Sequence, residues 1–335
     1  MTHRRIVLAS RPVGMPRPED FRIEPDRPAE PGPGEFLLEN HILSMDPAIR
    51  GFLDDRPSYL PPVAIGETVR GMTLGRVTKS RRADLPEGSY VRALAGWAEM
   101  SLLGDALGLE RFDPAPGIKL ESYMGALGPA GLTAWIGLNE IGRITPGDAV
   151  VISAAAGAVG SVAGQIARLS GCRVVGLAGS PEKQKRLIEL GYHAAIDYRA
   201  EPDLDAALRA ACPDGIDVYF DNVGGATLER MLPLMREHGR VVICGMIEQY
   251  NDADHPYGVK TLWQLVVKRI TMRGFLTYDH GDRLAEASAA LDQWVRSGAL
   301  LPTETVYEGL ERAPEAFIDL MSGRTMGKTL VRIRN

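Results

Sequence analysis

Cysteine is scarce in this chain, and long apolar runs are absent. The 335 residues include 3 cysteines, and no stretch approaches the roughly 20 apolar residues of a membrane span or forms the apolar part of a secretory leader. Cys172, Cys212 and Cys244 are widely separated and lie in apolar runs, which favours buried thiols over a disulfide framework. We therefore expect a protein of the reducing cytoplasm, without a membrane association.

The position of the cysteines also excludes one class of metal enzyme. A zinc alcohol dehydrogenase needs Cys and His ligands at its active site, and usually a set of closely spaced cysteines for a structural metal. No cysteine precedes Cys172, and we interpret His41 as a packed or surface residue rather than a ligand. Since no Gly-x-Ser-x-Gly motif or pair of carboxylates stands out either, the sequence predicts no metal and argues against hydrolysis.

The charge balance argues against polyanionic partners. Lys and Arg total 38 against 43 Asp and Glu, and the formal net charge of -5 provides no field that would gather nucleic acid or an anionic membrane. With 45% hydrophobic and 24% charged residues, the composition is that of a globular domain protein. A small molecule is the expected partner.

The pattern of residue types changes along the chain and predicts three segments. Residues 1–124 are rich in Pro and Gly with short β-type runs, which indicates an irregular, mostly β domain. Residues 125–298 alternate apolar strand-like runs with helical patterns, which is typical of an α/β domain with helices on both faces of a parallel sheet. Residues 299–335 again contain β-type runs and are expected to rejoin the first domain.

The α/β segment supplies enough strands for a doubly wound dinucleotide-binding sheet. The candidate strands are 149–153, 173–178, 194–198, 217–220, 240–245 and 270–275. The candidate helices between and after them are 159–170, 182–190, 203–212, 225–236, 259–268 and 282–297.

A small-residue turn follows the first of these strands. Ala155, Gly157 and Gly160 occupy the three positions of a GxGxxG pattern, with Ala at the first. In such a turn the second position lets the backbone approach a pyrophosphate, and the third lets the helix pack closely on the strand. Amides at the helix N-terminus then supply donors for the anion. The alternative is a turn that only packs a helix tightly against a sheet.

The end of the next strand predicts which nucleotide is bound. NAD-binding units usually carry Asp or Glu there to bind the ribose 2′-hydroxyl, whereas this chain has Gly179 and Ser180. Lys183 lies on the first turn of the following helix, where its ammonium could meet a 2′-phosphate. A solvated surface lysine is the alternative, but the missing carboxylate and the added cation both favour NADPH.

Five segments resemble one known family. They are LSMDPAIRG (43–51), GPAGLTAWIGL (128–138), the block 153–183, YFDNVGG (219–225) and CGMIEQYN (244–251). Together they are similar to the zinc-independent medium-chain dehydrogenases/reductases of the prostaglandin reductase and leukotriene B4 dehydrogenase-like branch, which includes curcumin reductase-like bacterial enzymes. The resemblance implies a GroES-like, mostly β catalytic domain, a Rossmann nucleotide-binding domain, NADPH as hydride donor, and a homodimer.

The resemblance also implies roles for individual residues. Gly157, Ala158, Val159 and Gly160 match the pyrophosphate turn, and Lys183 and Tyr198 match the residues that hold the 2′-phosphate. Ser180 is a further cofactor-binding candidate. The positions that match the ribose and nicotinamide site are Asn222, Cys244, Met246, Tyr250, Phe275, Thr277 and Thr133. For Tyr198, Asn222 and Cys244 the alternatives are a strand end, a turn residue and core filling.

The implied reaction is hydride addition to the β-carbon of an α,β-unsaturated ketone or aldehyde, followed by protonation of the enolate. Such a site must orient the alkene and stabilise the oxyanion. Tyr250 is the candidate donor, with a structural ring as the alternative. Tyr59 and Arg50 are candidate substrate residues, although loop packing and an internal salt bridge are their alternatives.

The chain departs from the branch near the substrate. Ala48 stands where the branch commonly has an aromatic residue, Met100 ends a changed GWQxY-like segment, and Thr325 replaces an Asn that usually precedes the final Gly-Lys. Two further functions stay open. One is a quinone oxidoreductase, which would use the same cofactor site with a wider cleft, and the other is an NADPH-binding sensor without turnover, which these three changes make conceivable.

Overall fold

The computed structural model describes residues 3–252 and 255–334. The chain forms two compact units. The first contains the chain up to Met124, Glu304–Thr325 and the segment from Thr329 onward; the second contains Gly125–Thr303 and Met326–Lys328.

The second unit extends beyond the predicted boundary at residue 298. The side chain of Gln165 receives a hydrogen bond from the Leu301 N–H at 2.7 Å and donates one to the Leu301 carbonyl at 3.1 Å. Arg186 donates to the Thr303 hydroxyl at 3.0 Å. These bonds attach residues 299–303 to the second unit, which a prediction based on β texture could not detect.

The first unit begins with short strands and one helical turn. Its strands are β1 (His3–Leu8), β2 (Phe21–Asp26), β3 (Phe36–Ser44), β4 (Met72–Ser80), β5 (Tyr90–Leu94), β6 (Met100–Leu103) and β7 (Glu110–Phe112), and its helix is α1 (Ile49–Phe52). Three short β-type runs of the sequence, 35–38, 73–77 and 90–94, overlap β3, β4 and β5, and this confirms the mostly β character of the segment.

The second unit alternates strands and helices. Its helices are α2 (Pro129–Ile136), α3 (Ala158–Leu169), α4 (Pro181–Glu189), α5 (Leu204–Ala211), α6 (Gly225–Met231), α7 (Trp263–Lys268) and α8 (Leu284–Ser297). Its strands are β8 (Ala149–Ile152), β9 (Arg173–Ala178), β10 (Ala194–Asp197), β11 (Ile216–Asp221), β12 (Met235–Ile243) and β13 (Thr271–Gly274). They form a six-stranded parallel sheet in the order β10–β9–β8–β11–β12–β13.

Alternate residues of the central strands enter separate cores on the two faces of this sheet. Val150 and Ile152 of β8 belong to one core, whereas Val151 belongs to the other. The pleat sends successive side chains to opposite faces, so a strand covered by helices on both sides is apolar throughout. The doubly wound fold predicted from these apolar runs is confirmed.

Two predicted helices differ from the observed helices by more than two residues at one end. The helix predicted over 225–236 ends at Met231 and continues as a 3-10 turn over Leu232–Leu234, and β12 then begins at Met235. Pro233 in this turn has no N–H to continue the α-helical ladder. The helix predicted over 259–268 begins only at Trp263.

The C-terminal region completes the first unit with β14 (Glu304–Glu308), α9 (Ala313–Met321) and β15 (Lys328–Arg332). The main sheet has the order β14–β15–β3–β4–β5–β7, with β6 also paired to β3, while β1 and β2 form a separate pair. The Trp97 ring is fully buried, and its centre lies 5.3 Å from the centre of the Phe21 ring and 5.8 Å from that of the Phe317 ring. Strands β14 and β15 therefore belong to the same sheet as β3, β4 and β5.

No helix among the described residues has the length and apolarity needed to cross a bilayer.

Candidate active site

The turn between β8 and α3 has the geometry of an anion cradle. Gly157 is the N-cap of α3, and its own N–H donates to the Ala154 carbonyl at 2.9 Å. The first intrahelical bond is made by the Ser161 N–H, so the preceding amides of Ala158, Val159 and Gly160 have no partner within the helix. These donors, with the positive end of the helix dipole, can hold a phosphate.

Gly160 allows the helix to lie against this turn. A Cβ atom at residue 160 would lie 2.6 Å from the Ala154 carbonyl oxygen and 2.7 Å from the Ala155 Cα. Both are backbone atoms, which cannot move aside without changing the turn. A Cβ at Gly157 would lie 3.1 Å from the same carbonyl oxygen, so this position is less restricted within the protein itself.

A C-terminal segment that the sequence did not indicate also contacts this turn. Gly327 forms a parallel bridge with Gly157, and its N–H donates to the Ala156 carbonyl at 2.8 Å. Gly327 has a φ of 63°, and a Cβ there would lie 2.0 Å from the Thr303 carbonyl oxygen. The Gly-Lys pattern near the C-terminus was the available signal, because only glycine fits this backbone.

Polar and cationic residues surround the end of β9. Ser180 caps α4, and its hydroxyl accepts the Lys183 N–H at 3.3 Å. Hydrogen bonds from its own backbone and from Ser180 lower the pKa of Glu182. Tyr198 is exposed, and its hydroxyl accepts a hydrogen bond from the Arg199 Nε–H at 3.2 Å. The structure thus places Ser180, Lys183 and Tyr198 around the end of β9 and adds Arg199 to them.

The end of β11 is organised by a buried carboxylate. One oxygen of Asp221 accepts hydrogen bonds from the Ser153 hydroxyl at 2.9 Å, the Tyr219 hydroxyl at 2.8 Å, and the N–H groups of Val223 and Gly224, both at 3.0 Å. Its other oxygen is buried and has no hydrogen-bond partner in the described part of the chain. Burial raises the pKa of Asp221, and the hydrogen bonds oppose that effect.

Asn222 is held by the same network. Its side-chain amide donates to the Ser153 carbonyl at 2.7 Å, and its backbone N–H donates to the Ser153 hydroxyl at 2.8 Å. The sequence predicted Asn222 but missed Ser153 and Asp221, the residues that orient it. The DNVGG motif contained Asp221, but Ser153 follows a different strand, β8, so no local pattern indicates the bond between them.

The segment after β12 lies against this turn. The Ile247 N–H donates to the Asn222 carbonyl at 3.3 Å, and the Met246 N–H donates to the Tyr250 hydroxyl at 3.3 Å. Burial raises the pKa of Tyr250 above its usual value, so its phenol remains protonated at neutral pH. Burial, with the charge of Asp221, raises the pKa of Cys244 to about 12. The phenol can therefore donate a proton, whereas the thiol is a poor nucleophile.

Thr133 and Thr277 meet although they are far apart in sequence. Their hydroxyl oxygens are 2.9 Å apart. Phe275 lies close by, since a Cβ at Gly137, just after α2, would come within 3.0 Å of its ring. Gly137 also begins a π-helical turn, Gly137–Ile141, and such turns often occur at functional sites.

The two candidate substrate residues belong to the first unit. Arg50 is 3% exposed and pairs with Asp54 at 2.6 Å, and it also donates to the carbonyls of Pro12 and Gly14. This is the internal salt bridge that was its alternative interpretation, so we assign Arg50 a structural role instead of a role in orienting a substrate. Tyr59 is 53% exposed and makes an edge contact with Phe52 at 5.3 Å.

The remaining cysteines and His41 are packed side chains. Burial raises the pKa of Cys172 and of Cys212 to about 11 in each case, as expected for buried thiols. His41 is 7% exposed, and burial lowers its pKa. In the described ranges, no group of three or more His, Cys, Asp or Glu side chains is arranged to hold a metal ion.

Comparison with known proteins covers nearly the whole chain. A family model described as the N-terminal domain of oxidoreductase matches residues 4–111, and one described as zinc-binding dehydrogenase matches residues 158–293. The chain is 40% identical to the NADPH-dependent curcumin reductase of Escherichia coli, over 99% of this chain and 97% of that protein. It is 35% identical to the NADP-dependent 2-alkenal reductase of Nicotiana tabacum, over 99% of this chain and 98% of the relative.

Solved structures agree with these relatives. The crystal structure of CurA from Vibrio vulnificus in complex with NADPH matches with a TM-score of 0.92 and 39% identity, over 99% of both chains. The quinone oxidoreductase of Escherichia coli in complex with NADPH matches with a TM-score of 0.81 at 23% identity, over 98% of this chain and 99% of that chain, which shows a shared fold only. The chain belongs to the zinc-independent branch of the medium-chain dehydrogenase/reductase family, the branch of the curcumin, alkenal and prostaglandin reductases.

Proposed function

We propose that the protein uses NADPH to reduce the carbon–carbon double bond of small α,β-unsaturated ketones or aldehydes. The observation that carries this proposal is the similarity, across both units, to an NADPH-dependent curcumin reductase and a 2-alkenal reductase. A 37% identity to mouse prostaglandin reductase 1, over 95% of each chain, supports the same chemistry.

The residues of the second unit fit NADPH. The amides of Ala158, Val159 and Gly160 would hold the pyrophosphate above a turn whose close packing requires glycine. Ser180, Lys183 and Tyr198 would hold the 2′-phosphate. Residues of the nicotinamide half of the site would be Thr133, Asn222, Cys244, Met246, Tyr250, Phe275 and Thr277.

The chemistry divides between cofactor and protein. NADPH, when bound at this site, would supply a hydride for the β-carbon of the substrate. The protein must then stabilise negative charge on the substrate oxygen and allow a proton to reach the α-carbon. Tyr250 is suited to this task because its hydroxyl oxygen accepts the Met246 N–H, which leaves the phenolic hydrogen to be donated. We keep Tyr59 as a residue that contacts the substrate, since its ring is exposed.

We further propose a cytoplasmic homodimer joined through the second unit. Strand β13 is the last strand of its sheet, and all of its residues are exposed. Trp263 is 67% exposed and Val266 is 61% exposed, on the helix that precedes this strand. Apolar patches and open strand edges of this kind are commonly covered by a partner. The three cysteines, with pKa values raised by burial, suit a reducing compartment.

The test is to measure NADPH and NADH consumption with 2-alkenals, enones and quinones, and to determine product mass. We expect saturated carbonyl products and a strong preference for NADPH. Turnover of quinones alone would contradict enone reduction, and tight NADPH binding without turnover of any compound would favour a sensor.

A further inference from the structure

Arg199 occupies the space beside the end of β9 where NAD-binding proteins carry a carboxylate. Its guanidinium lies 5.5 Å from the centre of the Tyr198 ring. A Cβ at Gly179 would come within 3.0 Å of the Arg199 Nε and 3.2 Å of the Tyr198 hydroxyl. The absence of a side chain at residue 179 therefore leaves this space to an arginine and a tyrosine.

The hydrogen bond between these two residues orients the phenol. The Arg199 Nε–H donates to the Tyr198 hydroxyl oxygen at 3.2 Å. Because this oxygen acts as the acceptor, the phenolic hydrogen can donate to an anion. The terminal nitrogens of the guanidinium carry further donors in a planar fork, a geometry that matches phosphate oxygens.

The nearest acid on this segment does not neutralise Arg199. The Asp197 carboxylate accepts the backbone N–H groups of Arg199 at 3.0 Å and Ala200 at 3.3 Å. Within 3–252 and 255–334, the Arg199 guanidinium has no carboxylate partner. The positive charge is therefore available to a ligand.

Lys183 and Arg199 are close enough for their charges to interact. Burial, and after it the positive charge of Arg199, lowers the pKa of Lys183. Two neighbouring cations repel each other in the ligand-free protein. An anion bound between them attracts both and offsets this repulsion. A phosphate monoester carries a charge of about -1.5 to -2 at neutral pH, which suits two cations better than one.

We propose that Arg199 is a second cationic ligand of the NADPH 2′-phosphate and, with Lys183, determines the preference for NADPH over NADH. The inference rests on the proposed function because it assumes that NADPH is the cofactor. It assigns Tyr198 a second role as well: its phenol donates to the phosphate while its oxygen is held by Arg199.

The test measures binding by calorimetry, with 2′,5′-ADP and 5′-AMP as probes. We expect Arg199→Gln to lower the affinity for 2′,5′-ADP by about tenfold or more, because a charge-assisted hydrogen bond is lost. The affinity for 5′-AMP should change by less than about twofold. Lys183→Gln should give the same pattern. Arg199→Lys should recover part of the affinity, because it keeps the charge but loses the fork. Lys185→Gln, at an exposed position of the same helix, is the matched control.

Steady-state kinetics give a second measurement. Arg199→Gln should raise KM for NADPH with little change in kcat, since the 2′-phosphate is remote from the reacting carbon. The inference is overturned if Arg199→Gln binds 2′,5′-ADP with the same affinity as the Lys185→Gln control. It is also overturned if Arg199→Gln loses as much affinity for 5′-AMP as for 2′,5′-ADP. Wild-type protein that binds 2′,5′-ADP no better than 5′-AMP would overturn both this inference and the NADPH assignment. A preference for 2′,5′-ADP over 5′-AMP that is lost in Arg199→Gln would support the inference even if the protein reduced no enone.

Discussion

The Ser153 hydroxyl donates a 2.9 Å hydrogen bond to the buried carboxylate of Asp221. The same hydroxyl accepts the Asn222 N–H, so this one side chain joins the ends of β8 and β11 beneath the proposed nicotinamide site. Asp221 is fully buried, and each hydrogen bond to it offsets part of the cost of burial.

Ser153→Ala should therefore weaken both stability and cofactor binding. We expect the free energy of unfolding to fall by about 1.5–3 kcal/mol, the range for a lost hydrogen bond to a charged group. NADPH affinity should fall severalfold because Asn222 loses its support. Urea unfolding and fluorescence titration would measure the two effects. Ser322→Ala is the control. It removes a hydrogen bond from the Ser322 hydroxyl to the Ile318 carbonyl in the other unit, so NADPH affinity should not change. Equal NADPH affinity in the two variants would contradict the positioning role of Ser153.

Gly160→Val tests the phosphate turn. The added Cβ would meet backbone atoms at 2.6 and 2.7 Å, so α3 must move away from the turn and carry its amides with it. We expect NADPH binding to fall by at least about a hundredfold, with a loss of thermal stability that reflects overpacking. In the control, Gly258→Val, the added Cβ has no neighbour within 4 Å. Unchanged binding in Gly160→Val would show that the amides at this turn do not hold the pyrophosphate.

Much of the nucleotide-binding unit could be predicted because its strands are short, apolar and buried on both faces. The run 173–178 became β9 (Arg173–Ala178) with the same bounds. Helices α2 and α9 were missed for different reasons. The first lies in a segment that is apolar throughout and has no helical periodicity. The second is a short helix between two β-type runs, and its buried residues include Ala313, Ala316 and Phe317.

The predicted parts of the site were those carried by local motifs. Gly157, Gly160 and Lys183 each follow from their position in a strand, turn or helix. The bond from Gly327 to Ala156 joins residues far apart in sequence, and no local pattern specifies such a pair. The same holds for Ser153 and Asp221. Arg50 is the converse case, because the internal salt bridge that was its alternative interpretation is present, with Asp54 four residues away.

Tyr250→Phe tests the proposed proton donor. The variant lacks the hydroxyl that would donate the proton, so it should lose catalysis and keep binding. We expect kcat for enone reduction to fall by about tenfold or more. NADPH affinity should change little, since the variant loses only the hydrogen bond from the Met246 N–H. Tyr257→Phe serves as the control, and an unchanged kcat in Tyr250→Phe would assign that ring a structural role.

Trp263→Arg tests the proposed dimer. Trp263, Val266 and Val267 lie on one exposed face of α7, and Met272 of the edge strand is 38% exposed. A second copy of the same surface would cover these side chains, and an arginine from each copy would place like charges against each other in that interface. We expect light scattering to give twice the chain mass of 36.4 kDa for the wild type and the single mass for the variant. Val13→Arg, at a position that is 91% exposed in the first unit, should remain dimeric. A wild-type monomer, or a Trp263→Arg dimer of unchanged affinity, would exclude this surface as the interface.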